Sequence, residues 1–269
     1  MQGKKYINKE ILLMVFNQIS LRFDQIISFI QKTKTPIPLI LDLLKLQKDT
    51  YIAETYEEHR VMIRPRTGER FAFYENLIRM DYLKNGVMLE AGDTVVDIGA
   101  NIGCFTILAA SIVGPSGRVI AIEPEPLTYG QLCDNIKLNK LSNVTTLNIA
   151  VGERNEQIEF HVSPNSLYSS IYTEVGDHRV EGETIKVNSQ TLESLLNQLK
   201  IDRVRLLKMD CEGAEYGICA SMTPSIASRI DQISMELHKV SEHKPDELIS
   251  RINELGFQIK RQYPLFAWR

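Results

Sequence analysis

The segment KMDCEGAE, residues 208–215, places three carboxylates within six residues, directly after the apolar run VRLL. They belong to Asp210, Glu212 and Glu215. Acids beside a buried strand are costly unless they have a partner or a task. Carboxylates in this position can bind a metal ion, hold a cationic cofactor, orient a hydroxyl or stabilise a helix start. We assign Glu215 to a helix start, and Asp210 and Glu212 to a functional site.

A second polar cluster follows the run DQISM and contains Glu236 and His238. Two residues apart, they would point to the same face of a regular strand. A histidine with its ordinary pKa of about 6.5 can take a proton from an acceptor group. We therefore predict that His238 is a general base oriented by Glu236. Glu212 is predicted to contact the acceptor and Asp210 to hold a cofactor ammonium, and these four residues can exchange roles.

A glycine-rich loop follows another apolar run, in VVDIGANIGCF. Glycines in such a loop let the backbone turn sharply and approach a ligand closely. The residues predicted to bind a cofactor here are Asp97, Gly99, Asn101 and Gly103. A glycine-rich turn alone is a weak signal, so a plain strand-to-helix turn stays open as an interpretation.

Glu123 ends the next apolar run, where an acid can accept hydrogen bonds from both hydroxyls of a ribose. Dinucleotides and S-adenosylmethionine both carry that ribose. The glycine loop has no Lys or Arg for a pyrophosphate, whereas the ends of the runs supply acids that suit a positively charged cofactor. We therefore favour S-adenosylmethionine over NAD, and we expect Ala150, in LNIAVG, to lie beside its adenine.

These residues need a scaffold that brings the ends of several strands together. From about residue 94 onward, strand-like runs alternate with helix-like segments, which predicts βαβ units and a parallel sheet. In such sheets ligands bind beyond the carboxyl ends of the strands. We predict an α/β fold with a mostly parallel, doubly wound sheet. The third strand is predicted over 144–152, and an extended insert, EQIEFHV through ETIKVNS, should follow it; FQIKRQY should form the last strand.

The first part of the chain has a different pattern. ILLMVFNQISLRFDQIISFI repeats apolar residues at three- and four-residue steps, which predicts a helix, and TPIP separates it from a second helix, LILDLLKLQK. We expect a helical extension over 1–55 that forms a lid on a domain over 56–269. A partner surface, such as a homodimer contact, is the alternative. Next, HRVMIRP and RFAFY predict strands and ENLIRMDYLKNGVML predicts a helix.

Composition limits the classes of partner. The 269 residues include 43% hydrophobic and 24% charged side chains, as in one large α/β domain with additions. A net charge of −3 gives no general attraction to nucleic acid or anionic lipid. The four cysteines form no CxxC pair, and no run reaches the ~18 apolar residues of a membrane span. We expect a cytoplasmic protein that acts on a small molecule.

Together, VDIGANIGCFT, AIEPEP, LNIAVG, LLKMDCEGAEYGI and ISMELH resemble the FkbM-type family of S-adenosylmethionine-dependent methyltransferases in order and approximate spacing. The resemblance covers about residues 75–240, and KMDCEGAE is its most distinctive element. Cys104 stands where the family more often has an aromatic residue, and Cys211 where an aliphatic one is usual. The resemblance implies a Rossmann-like class I methyltransferase fold. It also implies methylation of a hydroxyl, commonly on a sugar or on a polyketide or peptide natural product.

Two alternatives stay open. Asp210, Glu212, Glu236 and His238 would also suit a Mg²⁺ or Mn²⁺ ion, although we favour a mechanism without a metal. A non-catalytic module that binds the cofactor and acts through the helical extension is the other alternative, and the presence of every expected acid and glycine argues against it. The sequence does not identify the acceptor. We expect its surface to come from the insert around 160–188 and from the N-terminal helices.

Overall fold

A seven-stranded sheet forms the centre of the computed structural model, which describes the backbone of residues 9–176 and 178–269 and the side chains of 20–176 and 179–269. The first eight residues of the expected extension and residue 177 of the insert lie outside the described residues. The strands, in chain order, are β1 Tyr51–Glu54, β2 Arg60–Ile63, β3 Thr94–Ile98, β4 Arg118–Ile122, β5 Val144–Leu147, β6 Ala150–Val151, β7 Glu156–Val162, β8 Glu174–Val175, β9 His178–Arg179, β10 Glu183–Gln190, β11 Val204–Met209, β12 Ile230–Met235, β13 Gln258–Lys260 and β14 Leu265–Trp268. The α-helices are α1 Lys9–Lys32, α2 Pro36–Leu43, α3 Glu69–Phe73, α4 Cys104–Val113, α5 Pro126–Leu138, α6 Leu192–Gln198, α7 Glu215–Ser221, α8 Pro224–Ala227 and α9 Pro245–Glu254.

The central sheet has the strand order β13-β14-β12-β11-β3-β4-β5. Its pairs β12/β11, β11/β3, β3/β4 and β4/β5 are parallel, and β14 is antiparallel to both of its neighbours. The carboxyl ends of five parallel strands therefore meet along one edge, and the prediction of a mostly parallel α/β sheet is confirmed.

Helices cover both faces of the sheet because successive strand side chains point to opposite faces. Val96 and Leu207 belong to a buried cluster with α6, α7 and α9, whereas Val95 and Leu206 pack with α4. The strands are consequently apolar on both faces, as the near-continuous runs in the sequence indicated. None of the helices in the described ranges is long and apolar enough to cross a membrane.

The N-terminal helices pack on the face that carries α4 and α5. Phe29 of α1 and Leu39 of α2 share a buried cluster with Leu108 and Leu132. Residues 51–54 of the expected helical extension form strand β1, which pairs antiparallel with β2. The extension is thus not wholly helical. One strand of this pair lies before residue 55 and the other after it, and the division of the chain into two domains at that residue stays a prediction.

The segment after β2 differs from the prediction. RFAFY, predicted as a strand, is helical: its first four residues lie in α3, and Tyr74 begins one turn of π-helix over Tyr74–Ile78. The helix predicted over 75–89 is reduced to that turn and a 3₁₀ turn at Asp81–Leu83. All side chains from 72 to 78 are buried, so the sequence shows no alternation of apolar and polar residues to distinguish a strand from a helix.

Three strand ends also differ from the prediction. The strand expected over 144–152 is divided between β5, in the central sheet, and β6, in a three-stranded sheet with β10 and β7. Strand β12 ends at Met235, so Glu236 and His238 follow the strand instead of lying within it. The C-terminal strand continues through a turn into β14, an unpredicted strand too short to show a pattern of its own.

Candidate active site

A cavity of about 870 Å³ opens at the carboxyl ends of the parallel strands. Seven of the predicted site residues line it: Gly99, Asn101, Glu123, Ala150, Asp210, Glu212 and Glu236. The other three, Asp97, Gly103 and His238, are not among its lining residues. The structure therefore gathers most of the predicted residues around one cavity, and the other three pack behind its lining residues.

The glycine loop after β3 is fixed by close backbone contacts. Gly99 has φ +74°, and a Cβ there would lie 1.8 Å from the carbonyl oxygen of Asp210, so only glycine fits. Asn101 also has a positive φ, and its Nδ2 donates to the carbonyl oxygen of Ser166, 3.0 Å away. The loop is thus held between the strand ends and the insert.

Glu123 lies at the end of β4 with only 7% of its surface exposed. Its Oε2 accepts from the backbone N–H of Asn101 and its Oε1 from that of Glu125, each at 2.9 Å. Burial raises the pKa of Glu123 to about 7, although these two N–H groups act in the opposite direction. Each carboxylate oxygen keeps a second lone pair, so the group can still accept hydrogen bonds from a ribose.

Asp97 is fully buried and acts through a lysine. Thr106 Oγ1 donates to Asp97 Oδ2 at 2.6 Å, and Lys208 Nζ lies 3.0 Å from Asp97 Oδ1. The same ammonium donates to the Gly99 carbonyl oxygen at 2.8 Å and lies 3.9 Å from Asp210 Oδ2. Burial lowers the pKa of Lys208, but the charges of Asp97 and Asp210 outweigh it, and the net shift is upward.

The sequence reasoning missed Lys208 as a site residue, although it is the first residue of KMDCEGAE. The sequence does carry a signal for it: Lys208 stands inside an apolar strand whose two faces are both covered by helices. A lysine is almost never fully buried without a partner, so a buried acid was to be expected beside it. Its role in the structure is to tie Asp97, the glycine loop and Asp210 together.

Gly103 supports the loop by packing. Its φ is +92°, and a Cβ would lie 2.7 Å from Leu132 Cδ1 on α5. Gly213 has φ +102°, and a Cβ there would meet Val240 and Tyr172 at 2.7 and 2.8 Å. Both glycines therefore permit close approach of neighbouring elements at the back of the site.

Four carboxylates surround the imidazole of His238. Its Nε2 lies 3.4 Å from Glu212, 3.8 Å from Glu236 and 3.9 Å from Asp210, measured to the nearest carboxylate oxygen. Its Nδ1 lies 3.0 Å from Glu215 Oε1. The two closest partners are thus Glu215 and Glu212, whereas the sequence prediction gave the orienting role to Glu236.

Glu215 begins α7, as predicted, but it is also fully buried beneath the site. Its Oε1 accepts from the N–H of Cys211 at 3.0 Å and its Oε2 from that of Gly213 at 2.8 Å. Burial would raise the pKa of Glu215, but the hydrogen bond and charge of His238 outweigh it, and the net shift is downward. No spacing in the sequence distinguishes this residue from an ordinary acid in a first helical turn.

The surroundings of His238 make it a cation. Burial lowers its pKa, but hydrogen bonds to Glu212 and Glu215, with their charges, raise it to about 12. At neutral pH the ring therefore carries a proton on both nitrogens and offers no lone pair. A ring in this protonation state cannot take a proton from the acceptor, as the predicted role of His238 as a base requires.

Glu236, a predicted residue, also belongs to a second group that includes two residues that were not predicted, Glu75 and Tyr263. The hydroxyl of Tyr263 lies 2.7 Å from Glu75 Oε1 and 3.1 Å from Glu236 Oε2. Burial, with the charge of Asp210, raises the pKa of both glutamates to about 7. The Tyr82 hydroxyl also donates to Glu236 Oε2, at 3.4 Å, so Tyr263 can donate to Glu75 while Tyr82 donates to Glu236. Glu75 comes from the π-helical turn, an irregularity often found at functional sites.

Asp210, Glu236 and His238 also meet a geometric condition for binding a metal. One ligand atom from each lies within 4.8 Å of the other two. Carboxylate oxygens suit Mg²⁺ or Mn²⁺, and a neutral imidazole suits several divalent ions. The dense negative charge requires a positive partner, which His238 and Lys208 supply in this structure and which a metal or a cationic cofactor can also supply.

The insert and the N-terminal region complete the cavity wall. Asn165 through Ser169 line it, and the N–H of Ser166 donates to the carbonyl oxygen of Thr67 at 2.9 Å. Leu21 and Gln25 of α1 line its outer part. These are the two regions from which we expected the acceptor surface to come.

A family model described as the Methyltransferase FkbM domain matches residues 97–259, more than half of the chain and all ten predicted site residues. The chain belongs to the FkbM methyltransferase family. It is therefore an S-adenosylmethionine-dependent methyltransferase of class I fold, as the resemblance of its motifs implied. The strand order of its sheet agrees with this assignment.

Individual relatives are distant. The 31-O-demethyl-FK506 methyltransferase FkbM of Streptomyces tacrolimicus is 26% identical over 224 residues, which cover 74% of this chain and 85% of that protein. The AMB antimetabolite synthetase AmbE of Pseudomonas aeruginosa is 23% identical over 239 residues, 75% of this chain but only 11% of AmbE. The structure of Methyltransferase FkbM from Methylobacillus flagellatus overlaps 94% of this chain and 60% of its own, with 14% identity and a TM-score of 0.46.

Proposed function

We propose that this FkbM-family protein is an O-methyltransferase that methylates a hydroxyl of a small-molecule natural product, such as a polyketide, peptide or sugar moiety. The observation that carries the proposal is the shared cavity wall, on which Glu123 stands near the glycine loop and Glu75 and Glu236 stand with pKa values of about 7. The relative from S. tacrolimicus, a 31-O-demethyl-FK506 methyltransferase by name, supports an oxygen acceptor.

The residues proposed to hold the cofactor surround the loop after β3. Glu123 would accept hydrogen bonds from the ribose, Ala150 would lie beside the adenine, and Asp210 would pair with the ammonium. Gly99 would let the backbone approach the ligand without side-chain obstruction, and Asn101 would lie beside it with its side chain held by the carbonyl oxygen of Ser166. S-adenosylmethionine, when bound, supplies an electrophilic methyl group.

Two residues compete for the role of base. His238 is the base predicted from the sequence, but its pKa of about 12 leaves it protonated at neutral pH. Glu236 has a pKa of about 7, near the value at which a general base works best, and it lines the cavity. We therefore propose that Glu236 takes the proton of the acceptor hydroxyl, a step that contributes roughly 10²–10⁴-fold.

In this proposal His238 positions the acids. Its Nε2 faces Glu212, Asp210 and Glu236, while its Nδ1 is held by the buried carboxylate of Glu215. The imidazolium charge reduces the repulsion between the carboxylates that lie close together around it. Glu212, the nearest of those on the Nε2 side, would contact the acceptor hydroxyl.

The test is the rate of S-adenosylhomocysteine formation with hydroxylated acceptors, measured against pH in the presence of EDTA. Glu236→Gln should reduce turnover by about two orders of magnitude or more and remove the acidic limb of the profile. His238→Gln should reduce turnover but keep that limb. If His238→Gln removes the limb while Glu236→Gln keeps it, the assignment of the base is wrong.

A metal-assisted reaction is the second candidate, and the mutual approach of Asp210, Glu236 and His238 favours it. Full turnover after exhaustive chelation would exclude it. Loss of turnover on chelation, restored by Mg²⁺ or Mn²⁺, would establish it and would make these three residues ligands.

A homodimer through the N-terminal helices stays a proposal. Phe23, Ile27 and Ile30 lie at helical spacing on α1 and are exposed by 63, 50 and 55%. Light scattering on the full chain would decide, and Phe23→Ser should shift a dimer toward monomer. The cytoplasmic location and the absence of a nucleic-acid partner also stay predictions.

A further inference from the structure

The cavity has opposite charge at its two ends. The inner end, at the strand termini, is lined by Glu75, Glu123, Asp210, Glu212 and Glu236 with Lys208 as the cation. We call the other end the outer arm; it is lined by Leu21, Arg22, Gln25, Asp42, Leu43, Lys45, Arg66 and Arg70. Four cations and one carboxylate make this arm strongly positive.

The single carboxylate of the outer arm is committed to holding the chain. Asp42 is buried, and it accepts from the hydroxyl of Tyr51 at 3.0 Å and from the backbone N–H of Arg66 at 3.1 Å. Arg70 Nε lies 3.9 Å from it. Asp42 therefore fixes the position of the arm but neutralises only a fraction of its charge.

The remaining cations have no carboxylate partner among the side chains that the structure describes. The Arg66 guanidinium donates to the carbonyl oxygen of Lys45 at 3.1 Å, and no ion pair of Arg22, Lys45 or Arg66 is present in that part of the chain. Arg70 is largely buried and donates to Gln25 Oε1. Burial lowers the pKa of Arg70, and the charge of Arg22 lowers it further.

An uncompensated group of guanidinium and ammonium groups in a concave wall is a recognition site for an oxyanion. The planar fork of arginine donates two parallel hydrogen bonds to phosphate or carboxylate oxygens. With three positive charges in excess, a multiply charged phosphate is a better match than a single carboxylate. The volume of about 870 Å³ is large enough for a ligand that extends from one end to the other.

We propose that the outer arm binds a phosphate group of the methyl acceptor, so that the substrate is a phosphorylated small molecule with its hydroxyl at the inner end. This inference rests on the proposed function in one respect: that function makes the molecule with the bound phosphate a methyl acceptor. The phosphate would be held by Arg70 and Arg66, with Arg22 and Lys45 around it. Such binding energy, realised away from the reacting oxygen, fixes the hydroxyl in place.

The first experiment is calorimetric titration of the full chain with pyrophosphate, with and without S-adenosylhomocysteine. The variants are Arg70→Gln and the double variant Arg22→Gln/Arg66→Gln. The side chains of Arg22 and Arg66 are exposed, so their replacement should not disturb folding. The control is Arg203→Gln, which removes the same charge beside the opposite end of β11. We expect pyrophosphate affinity to fall about tenfold or more in Arg70→Gln and in the double variant, and less than twofold in the control.

Equal affinities in all four proteins would overturn the proposal, and so would a dicarboxylate such as succinate binding as tightly as pyrophosphate. Because pyrophosphate binding is measured without the cofactor as well, these outcomes do not depend on catalysis. The proposed function is tested separately by methyl transfer in the same samples. Turnover of a phosphorylated hydroxyl acceptor, at a concentration below its KM, that is as fast in Arg70→Gln and in the double variant as in the wild type would leave the proposed function standing and overturn the phosphate site.

Discussion

Replacing Glu215 by glutamine should destabilise the protein far more than the loss of an acid from a helix start. Glu215 is fully buried and its two oxygens contact three donors: the N–H groups of Cys211 and Gly213 and the Nδ1 of His238. Glutamine keeps the size of the side chain but has one acceptor oxygen. Its NH₂ group would then face a donor, and His238 would lose its closest negative partner.

The magnitude follows from these contacts. Hydrogen bonds to charged groups contribute about 1.5–3 kcal/mol each, and breaking a buried ion pair costs about 3–5 kcal/mol. Glu212 stays beside Nε2 and retains part of the stabilisation of His238. We therefore expect a loss of about 2–4 kcal/mol in the free energy of unfolding. An acid whose only role is in the first helical turn contributes ~0.3–1 kcal/mol.

The assay is urea-induced unfolding at pH 7 in the presence of EDTA, followed by circular dichroism. Glu193→Gln is the matched control, because Glu193 lies in the first turn of α6 and is exposed. We expect Glu215→Gln to lose several times more stability than Glu193→Gln. If both variants lose less than about 1 kcal/mol, Glu215 is only a helix-start residue and the ion pair with His238 is not formed.

Three further predictions concern the same site. Lys208→Met should cost about 3–5 kcal/mol in the same unfolding assay, because it leaves Asp97 buried without a cation, and a loss below about 1 kcal/mol would contradict the pairing. The pKa of His238 is raised to about 12, so its stabilising contribution is complete below its ordinary pKa of about 6.5 and fades as pH rises toward 12. The stability of His238→Gln should therefore decline less steeply than that of the wild type between pH 7 and 10. His59→Gln is the control: burial lowers the pKa of His59, so its replacement should leave the wild-type slope unchanged in this range. Parallel stability curves for all three proteins would refute the raised pKa of His238. Tyr263→Phe removes a hydroxyl that can donate to Glu236 Oε2 at 3.1 Å, and losing a donor disfavours the charged form of this proposed base, so the acidic limb of the pH–rate profile should move to higher pH; a limb that stays in place would show that this hydroxyl does not tune the site.

The sheet was predictable from the sequence because long apolar runs and helical periodicity agree over residues 94–254. The positions of Gly99, Glu123 and Asp210 followed from the rule that ligands bind beyond the carboxyl ends of parallel strands. Each of these residues lines the cavity. For these residues the local sequence pattern gives the end of each strand, and the sheet topology brings those ends together, so the prediction did not require knowledge of side-chain contacts.

The partners of these residues were not predictable in the same way. Glu75 and Tyr263 reach the site from a π-helical turn and from the loop before β14, elements whose short or wholly buried runs show no period. Glu215 looks like any acid in a first helical turn until its burial is known. The protonation of His238 depends on four carboxylates from two segments, 210–215 and the residues after β12, and sequence spacing cannot supply their distances.

The central claim is that this methyltransferase alkylates oxygen. The most direct test is incubation of the purified protein with ¹³C-methyl-labelled S-adenosylmethionine and a set of hydroxylated small molecules, followed by carbon NMR of the labelled product. We predict that the label lies on a former hydroxyl oxygen and that Glu236→Gln slows its transfer by about two orders of magnitude or more. A label on nitrogen, sulfur or carbon, formed at the same rate by Glu236→Gln, would contradict it.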